Sequence, residues 1–166
     1  MSEENAEPIE EMASFFDLRA TGYDAHMRGY VFTETEFVQF YEALSTSIEA
    51  TEEPLRILDL GCGTGLEIEF LLQRAPNARI TGIDLSTGML EKLRKRYSAQ
   101  MDQITLVADS YLTIPFEPEA YDCVVSAMTV HHLLHDAKLS LYEKIHATLK
   151  PGGQYIEGDS VTLSML

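Results

Sequence analysis

Leu58-Asp59-Leu60-Gly61-Cys62-Gly63-Thr64-Gly65 joins an apolar run to an amphipathic one through three alternating glycines. The run ahead of it, Leu55–Leu60, predicts a strand, and Thr64–Ala75 predicts a helix stopped by Pro76-Asn77. Without a Cβ, glycine lets the backbone turn sharply and approach a ligand closely. A turn of this kind stands at the carboxyl edge of an open α/β sheet, where ligands bind. Its spacing is G-x-G-x-G. A dinucleotide fingerprint would need glycine at Leu66, and a P-loop would need a Lys after a longer gap. The first mismatch disfavours NAD or FAD, and the second sets the P-loop aside.

Outward from the turn, Ala78–Ile83 predicts a second strand, ending in Gly82-Ile83-Asp84-Leu85-Ser86. A carboxylate at Asp84 can accept hydrogen bonds from both hydroxyls of a ribose. It could instead cap the next helix, a task that suits Ser86 better. The glycine turn after one strand, Asp59 before it and Asp84 after the next strand together point to an adenosine-containing ligand. A helix over Ser86–Ala99 would bury Met89, Leu90, Leu93 and Tyr97. Strands follow at Gln103–Ala108 and Tyr121–Ala127, then a helix over His132–Leu149, a Lys150-Pro151-Gly152-Gly153 turn, and a fifth strand beginning at Gln154–Glu157. Strand and helix alternate throughout, which predicts an α/β fold: a doubly wound, Rossmann-like parallel sheet with helices on both faces.

The N-terminal third differs in character. Residues 1–8 are polar and acidic and are expected to be unordered. Ile9, Met12, Phe15, Phe16 and Leu18 recur near helical spacing until Thr21-Gly22. A second helix is predicted over Thr33–Ala50, opened by a Thr33/Glu36 capping box and carrying Phe37, Phe40, Tyr41, Leu44 and Ile48 as its stripe. The chain therefore divides into an acidic helical arm, 1–53, and a core, 54–166. The net charge is −15, of which the arm contributes −11 from 13 acids and 2 bases. Most of these charges solvate surface helices. Together they also repel a phosphate backbone, which argues against a nucleic-acid partner. No apolar run is long enough for a bilayer, and the acidic N-terminus is unlike a signal peptide. Cys62 and Cys123 are far apart and outside any Cys-x-x-Cys, which predicts free thiols and a cytoplasmic location.

With Leu58–Gly65, Ile80–Ser86, Val107–Asp109, Tyr121–Leu133 and Leu149–Gly153 in this order and at this spacing, the chain resembles the class I S-adenosylmethionine-dependent methyltransferases over residues 55–158. The resemblance implies a sheet ordered 3-2-1-4-5 and S-adenosylmethionine as cofactor. It implies that Asp59 and the turn residues Gly61, Cys62, Gly63 and Gly65 hold the methionine part. Asp84 would bind the ribose, Leu85 and Met89 would flank the adenine, Asp109 would meet its amino group with Ser110 alongside, and Ser126 would complete the site. An adenine amino group donates and Asp109 accepts; a plain Asx turn is the alternative for that residue.

Methyl transfer from a sulfonium is an in-line displacement, so aligning the reactants carries most of the catalysis. Ser126-Ala127-Met128-Thr129-Val130-His131-His132-Leu133 would line the methyl-transfer pocket. It lacks the Asn-Pro-Pro-Tyr and Pro-Cys elements of enzymes that methylate nucleic-acid bases, which argues against such a substrate. It resembles instead the same segment of small-molecule methyltransferases, which implies a small-molecule acceptor. His131 is the candidate general base, with a plain pocket-lining role as its alternative. His131 and His135 have metal-ligand spacing but no third ligand, so no metal site is assigned. Tyr23 is the arm's candidate for reaching the site, while Phe15 and Phe16 are expected to be ordinary helix packing.

The family's sixth and seventh strands are absent, so the chain is expected to be truncated after strand five, whose edge would be exposed and its apolar neighbours uncovered. Val161, Leu163, Met165 and Leu166 would trail from it. A partner or a second copy, forming a homodimer, would cover that edge. A non-catalytic cofactor-binding module, an aminopropyltransferase and an NAD-dependent oxidoreductase remain the rival readings.

Overall fold

Pleating puts alternate residues of a strand on opposite faces, and the central strand β1, Arg56–Leu60, divides its side chains accordingly. Ile57 joins the core on one face of the sheet, while Leu58 and Leu60 join the core on the other. In the computed structural model, which describes residues 6–159, β1 lies parallel to β2 (Arg79–Asp84) and β4 (Tyr121–Ala127). Strand β3 (Ile104–Ala108) adds to β2, and β5 (Leu149–Gly158) adds to β4. The order is β3-β2-β1-β4-β5, all parallel, as the resemblance implies.

Helices α1 (Ala6–Arg19), α2 (Tyr23–His26) and α3 (Glu34–Thr46) precede the sheet. Within it, α4 (Ile68–Arg74), α5 (Thr87–Arg96) and α6 (His135–Thr148) connect the strands. Phe37, Tyr41 and Leu44 of α3, Ile68 and Leu71 of α4, and Leu90 and Leu93 of α5 pack on the face that carries Ile57. Leu141 and Ile145 of α6 pack on the face of Leu58, Leu60 and Val124. Burying each such side chain stabilises by about 1.5–3 kcal/mol, so the sheet is held from both sides. Leu60 pairs with Ile83 and with Ser126, and Asp84 pairs with Ala108. The carboxyl ends of four strands are thereby level, and the segments leaving them share one edge.

Several boundaries differ from the sequence reading. α1 already includes residues 6–8, because Pro8 sits in a first turn, where its missing N–H costs nothing. Residues 1–5 and Val161, Leu163, Met165 and Leu166 lie outside the described residues. The capping box is present: the Glu36 amide donates to Thr33 Oγ1 at 3.3 Å and the Thr33 amide donates to Glu36 Oε2 at 2.8 Å. Helix α3 nevertheless ends at Thr46, four residues early. Between α2 and α3 runs a π-helical turn, Met27–Val31, that no periodicity announced. Helix α4 begins only at Ile68, because Gly63 and Gly65, with φ of 50° and 74°, keep the preceding residues in a turn. A 3-10 turn, Val130–His132, precedes α6, which starts at His135.

Lys150-Pro151-Gly152-Gly153 is not a turn before β5 but a bulge within it. Tyr121 pairs with Leu149 and Cys123 with Gln154, so five residues span two. Lys150 Nζ anchors the bulge on both Asp122 oxygens at 2.8 Å. β5 is the outermost strand among the described residues, yet its neighbours are not left bare. A Cβ added at Gly158 would lie 2.6 Å from Leu44 and 2.8 Å from Phe40, so α3 already covers that end. Both cysteines are buried and free. Among the described residues no helix is long and apolar enough to cross a membrane.

Candidate cofactor and acceptor site

The glycine turn is folded back onto the end of β2. The amides of Gly61 and Cys62 donate to the Ile83 carbonyl at 2.8 and 3.1 Å. Asp84 completes the closure, its two oxygens accepting from the amides of Gly63 and Ser86 at 2.8 Å each. Burial holds the Asp84 carboxyl above its ordinary range, and the two amide bonds oppose that. Each carboxylate oxygen has a second lone pair, so Asp84 keeps capacity for hydroxyl donors. Its expected helix-capping rival is settled by Ser86, whose Oγ accepts from the Met89 amide at 3.1 Å.

The three glycines are not equivalent. A Cβ on Gly61 would come within 2.5 Å of Thr129 Oγ1, and one on Gly65 within 2.9 Å of Leu93. A Cβ on Gly63 would meet nothing nearer than 4.0 Å. The first two glycines are required by packing within the protein, whereas Gly63 faces open space.

That space is a cavity of about 730 Å³, partly open to solvent, lined by Gly61, Gly63, Asp84, Leu85, Met89 and Ser110, with Tyr23 of the arm. Seven of the expected site residues therefore meet at one place. Phe16, Tyr111, Met128, Thr129 and His132 also line it, and motif reasoning had not given them a cofactor role. Tyr111 directly follows the Asp109-Ser110 pair, and its hydroxyl bonds Thr129 Oγ1 at 3.0 Å. Met128 holds a φ of 54°, costly for a side chain that is not glycine, where the chain leaves β4.

Other expected residues are placed elsewhere. Asp109 is exposed and accepts from the Ser110 amide at 2.7 Å. Ser126 is buried and bonded to Tyr155 Oη at 2.8 Å. Cys62 packs beneath the turn against Gly82. Asp59 is fully buried, and neither of its oxygens has a partner of ordinary hydrogen-bond geometry. Its neighbour is Glu67, also buried and absent from the sequence reading. Burial raises both carboxyls, and the neighbouring Asp59 charge raises Glu67 further.

The arm is fastened over this edge. Asp17 accepts from Ser86 Oγ and, at 3.0 Å, from the Gly88 amide, so α1 caps α5. Asp24 accepts from Thr64 Oγ1 at 2.6 Å and pairs with Arg96, which also donates to the Thr64 carbonyl at 2.8 Å. Leu18, expected in the arm's apolar stripe, is 86% exposed instead. Phe15 and Phe16 do more than pack: both line a second cavity of about 1100 Å³ beside the first. Phe16, Tyr23, Met128 and His132 are common to the two. His131 opens onto the second cavity. Its amide donates to Asp159 Oδ2 at 2.8 Å and its Nδ1 meets Asp159 Oδ1. Tyr23 is pushed above the ordinary tyrosine range by burial and by Glu67, Asp84 and Asp24, so its hydroxyl stays protonated. Among the described residues no group of three or more His, Cys, Asp or Glu is gathered for a metal.

A family model described as a methyltransferase domain matches residues 57–153. The chain belongs to that methyltransferase family. It is 30% identical over 151 residues to the biotin biosynthesis bifunctional protein BioHC of Teredinibacter turnerae, covering 87% of this chain and 25% of that protein. It is 32% identical over 120 residues to the malonyl-[acyl-carrier protein] O-methyltransferase of Priestia megaterium, covering 71% and 40%. A methyltransferase structure from Methanococcus maripaludis superposes with a TM-score of 0.68 at 24% identity, covering 87% of this chain and 64% of that one. This methyltransferase chain thus spans less than two thirds of each of these proteins, and its fold is that of the class I enzymes.

Proposed function

We propose that the chain binds S-adenosylmethionine in the first cavity and transfers its methyl group in line to a small-molecule acceptor held in the second. The observation that carries this reading is Gly63. Its missing Cβ opens onto the cavity that Asp84, Leu85, Met89 and Ser110 line. The donor set suits the cofactor, and the buried, poorly partnered carboxyl of Asp59 suits a cationic ligand.

The cofactor would supply an activated methyl on a sulfonium. The protein's part is to bind, align and exclude water. Asp84 would fix the ribose, and the open backbone at Gly63 would seat the methionine end, with Leu85 and Met89 flanking the base. Phe16, Tyr23, Met128 and His132, shared by both cavities, would surround the transferring methyl. Alignment of that kind is worth about 7–11 kcal/mol. Where the acceptor must lose a proton, His131 would take it. Asp159 faces Nδ1, which leaves Nε2 as the basic nitrogen of the neutral ring. Tyr23, whose raised pKa holds its proton in place, would donate a hydrogen bond rather than act as a base.

The similarity to a demethylmenaquinone methyltransferase and a malonyl-[acyl-carrier protein] O-methyltransferase supports a small organic acceptor. Calorimetry is expected to show binding of S-adenosylmethionine and S-adenosylhomocysteine and none of NADH. Binding of NADH alone would overturn the reading.

A further inference from the structure

The wall of the second cavity departs in charge from the rest of the molecule. The chain carries 27 acids against 12 Lys and Arg, yet among the described residues no Asp or Glu lines this cavity. Arg19, His26, His131 and His132 do, set among Phe15, Leu18, Met27 and Val31. Among the described residues Arg19 is the only side chain there with a permanent charge. The arm's other arginine, Arg28, is paired with Glu34, whereas Arg19 has no carboxylate partner among the described residues. Its guanidinium lies instead 4.0 Å from the centre of the Phe15 ring, which orders the side chain without neutralising it.

The Arg19 guanidinium is exposed at the C-terminal end of α1, where the helix dipole favours a cation, and its planar fork is open to an anionic ligand. The stacked, pre-oriented guanidinium suits a planar or tetrahedral oxyanion. The His132 imidazole adds a neutral polar contact, because burial and the neighbouring His131 hold it below its ordinary range.

We propose that the second cavity takes an acceptor bearing a small oxyanion, a carboxylate or a phosphate, and that Arg19 is the residue that selects it. The apolar residues would hold the acceptor's organic body. Fixing the anion at Arg19 would present the remainder toward Phe16, Tyr23, Met128 and His132, where the two cavities meet. This rests on the proposed methyl transfer only for the orientation of the acceptor; anion capture stands apart from cofactor binding.

The test therefore needs no cofactor. The chain has five histidines, of which His26, His131 and His132 line the cavity and His135 and His146 do not. Their C2–H proton resonances would be followed at constant pH and ionic strength. Inorganic phosphate and acetate are titrated separately, with chloride as control. Saturable shifts confined to the first three histidines are expected with at least one oxyanion. The stronger of the two assigns the acceptor's anionic group. R19Q is expected to weaken that binding on the order of tenfold, and R19K, which keeps the charge but not the stacked fork, to recover only part of it. Affinity for S-adenosylmethionine, measured by calorimetry on the same variants, should not change. Shifts that are absent, unsaturable, matched by chloride, or unchanged in R19Q would overturn the proposal. Lost cofactor binding with intact anion binding would instead overturn the function proposed above.

Discussion

Asp84 serves two masters at the residue scale. It fastens the glycine turn through Gly63 and the start of α5 through Ser86, and it faces the cavity. Asp84→Ala is therefore expected to weaken S-adenosylmethionine and S-adenosylhomocysteine alike, by about tenfold or more, since charge-assisted hydrogen bonds contribute about 1.5–3 kcal/mol. Unchanged calorimetric affinity would refute its part in binding. Asp59 and Glu67 permit a prediction with a definite sign. Burial raises both carboxyls in the folded protein, so the folded state binds protons more tightly than the unfolded chain, whose carboxyls titrate near about 4. The pair's contribution is fully present below that value and is lost as pH rises through the folded-state values. Melting temperature should fall between pH 5 and pH 8, and Asp59→Asn should flatten that slope. At pH 8 the variant is expected to be more stable by about 1–2 kcal/mol, since one pKa unit corresponds to about 1.4 kcal/mol. A slope identical to that of the parent would show that the two carboxyls are not thermodynamically linked to folding.

At the scale of elements, the turn separates two uses of glycine that its sequence presents as one pattern. Gly61→Ala drives a methyl group into Thr129 at a φ of 69°, and is expected to unfold the β1–α4 connection and lower the melting temperature sharply. Gly63→Ala meets no atom within contact distance, so only the left-handed strain of about 1–2 kcal/mol remains. It should leave a folded protein that no longer binds the cofactor. Equal losses of stability in the two variants would contradict the assignment of Gly63 to the ligand. The arm makes a second case. Asp24→Ala removes the bonds to Thr64 and Arg96, which should speed hydrogen exchange and proteolysis around residues 23–33 while moving global melting little. What was legible beforehand follows the same division. The strands and the acids Asp59, Asp84 and Asp109 near the ends of the first three were readable, because strand pleating and the turn glycines are local. The fastening of the arm was not: Asp17–Ser86 and Asp24–Arg96 join residues about seventy positions apart, and no periodicity marks them. The Glu67 partner of Asp59 was hidden for the opposite reason. It lies in a helical stretch where a glutamate is ordinarily solvated, and only the turn's geometry turns it inward. The π-helical turn and the bulge in β5 likewise follow from tertiary packing rather than from local propensity.

For the whole molecule the governing quantity is charge. The net −15 is concentrated in the arm, which lies against a core whose own carboxyls Asp59, Glu67 and Asp84 crowd the ligand edge. Four Lys or Arg ion pairs among the described residues oppose this repulsion. Exposed pairs of this kind contribute only about 0.2–1 kcal/mol each, and salt screens them as well. Repulsion among many exposed acids acts over longer distances than a contact pair, so it gains more from a Debye length that shrinks to about 10 Å at 0.1 M salt. Stability should therefore rise between low salt and about 0.5 M NaCl. A gain of about 1 kcal/mol would appear as a rise of about 2–4 °C in melting temperature for a chain of this size. Deleting the arm's charge should remove the effect: Glu to Gln at exposed positions Glu42, Glu49, Glu52 and Glu53 is expected to raise melting at low salt and to flatten the salt dependence. A melting temperature that instead falls with salt would mean that the ion pairs, Asp24–Arg96 foremost, outweigh the repulsion. The arm would then be held to the core by attraction rather than kept there against its charge by burial of Phe37, Tyr41 and Leu44.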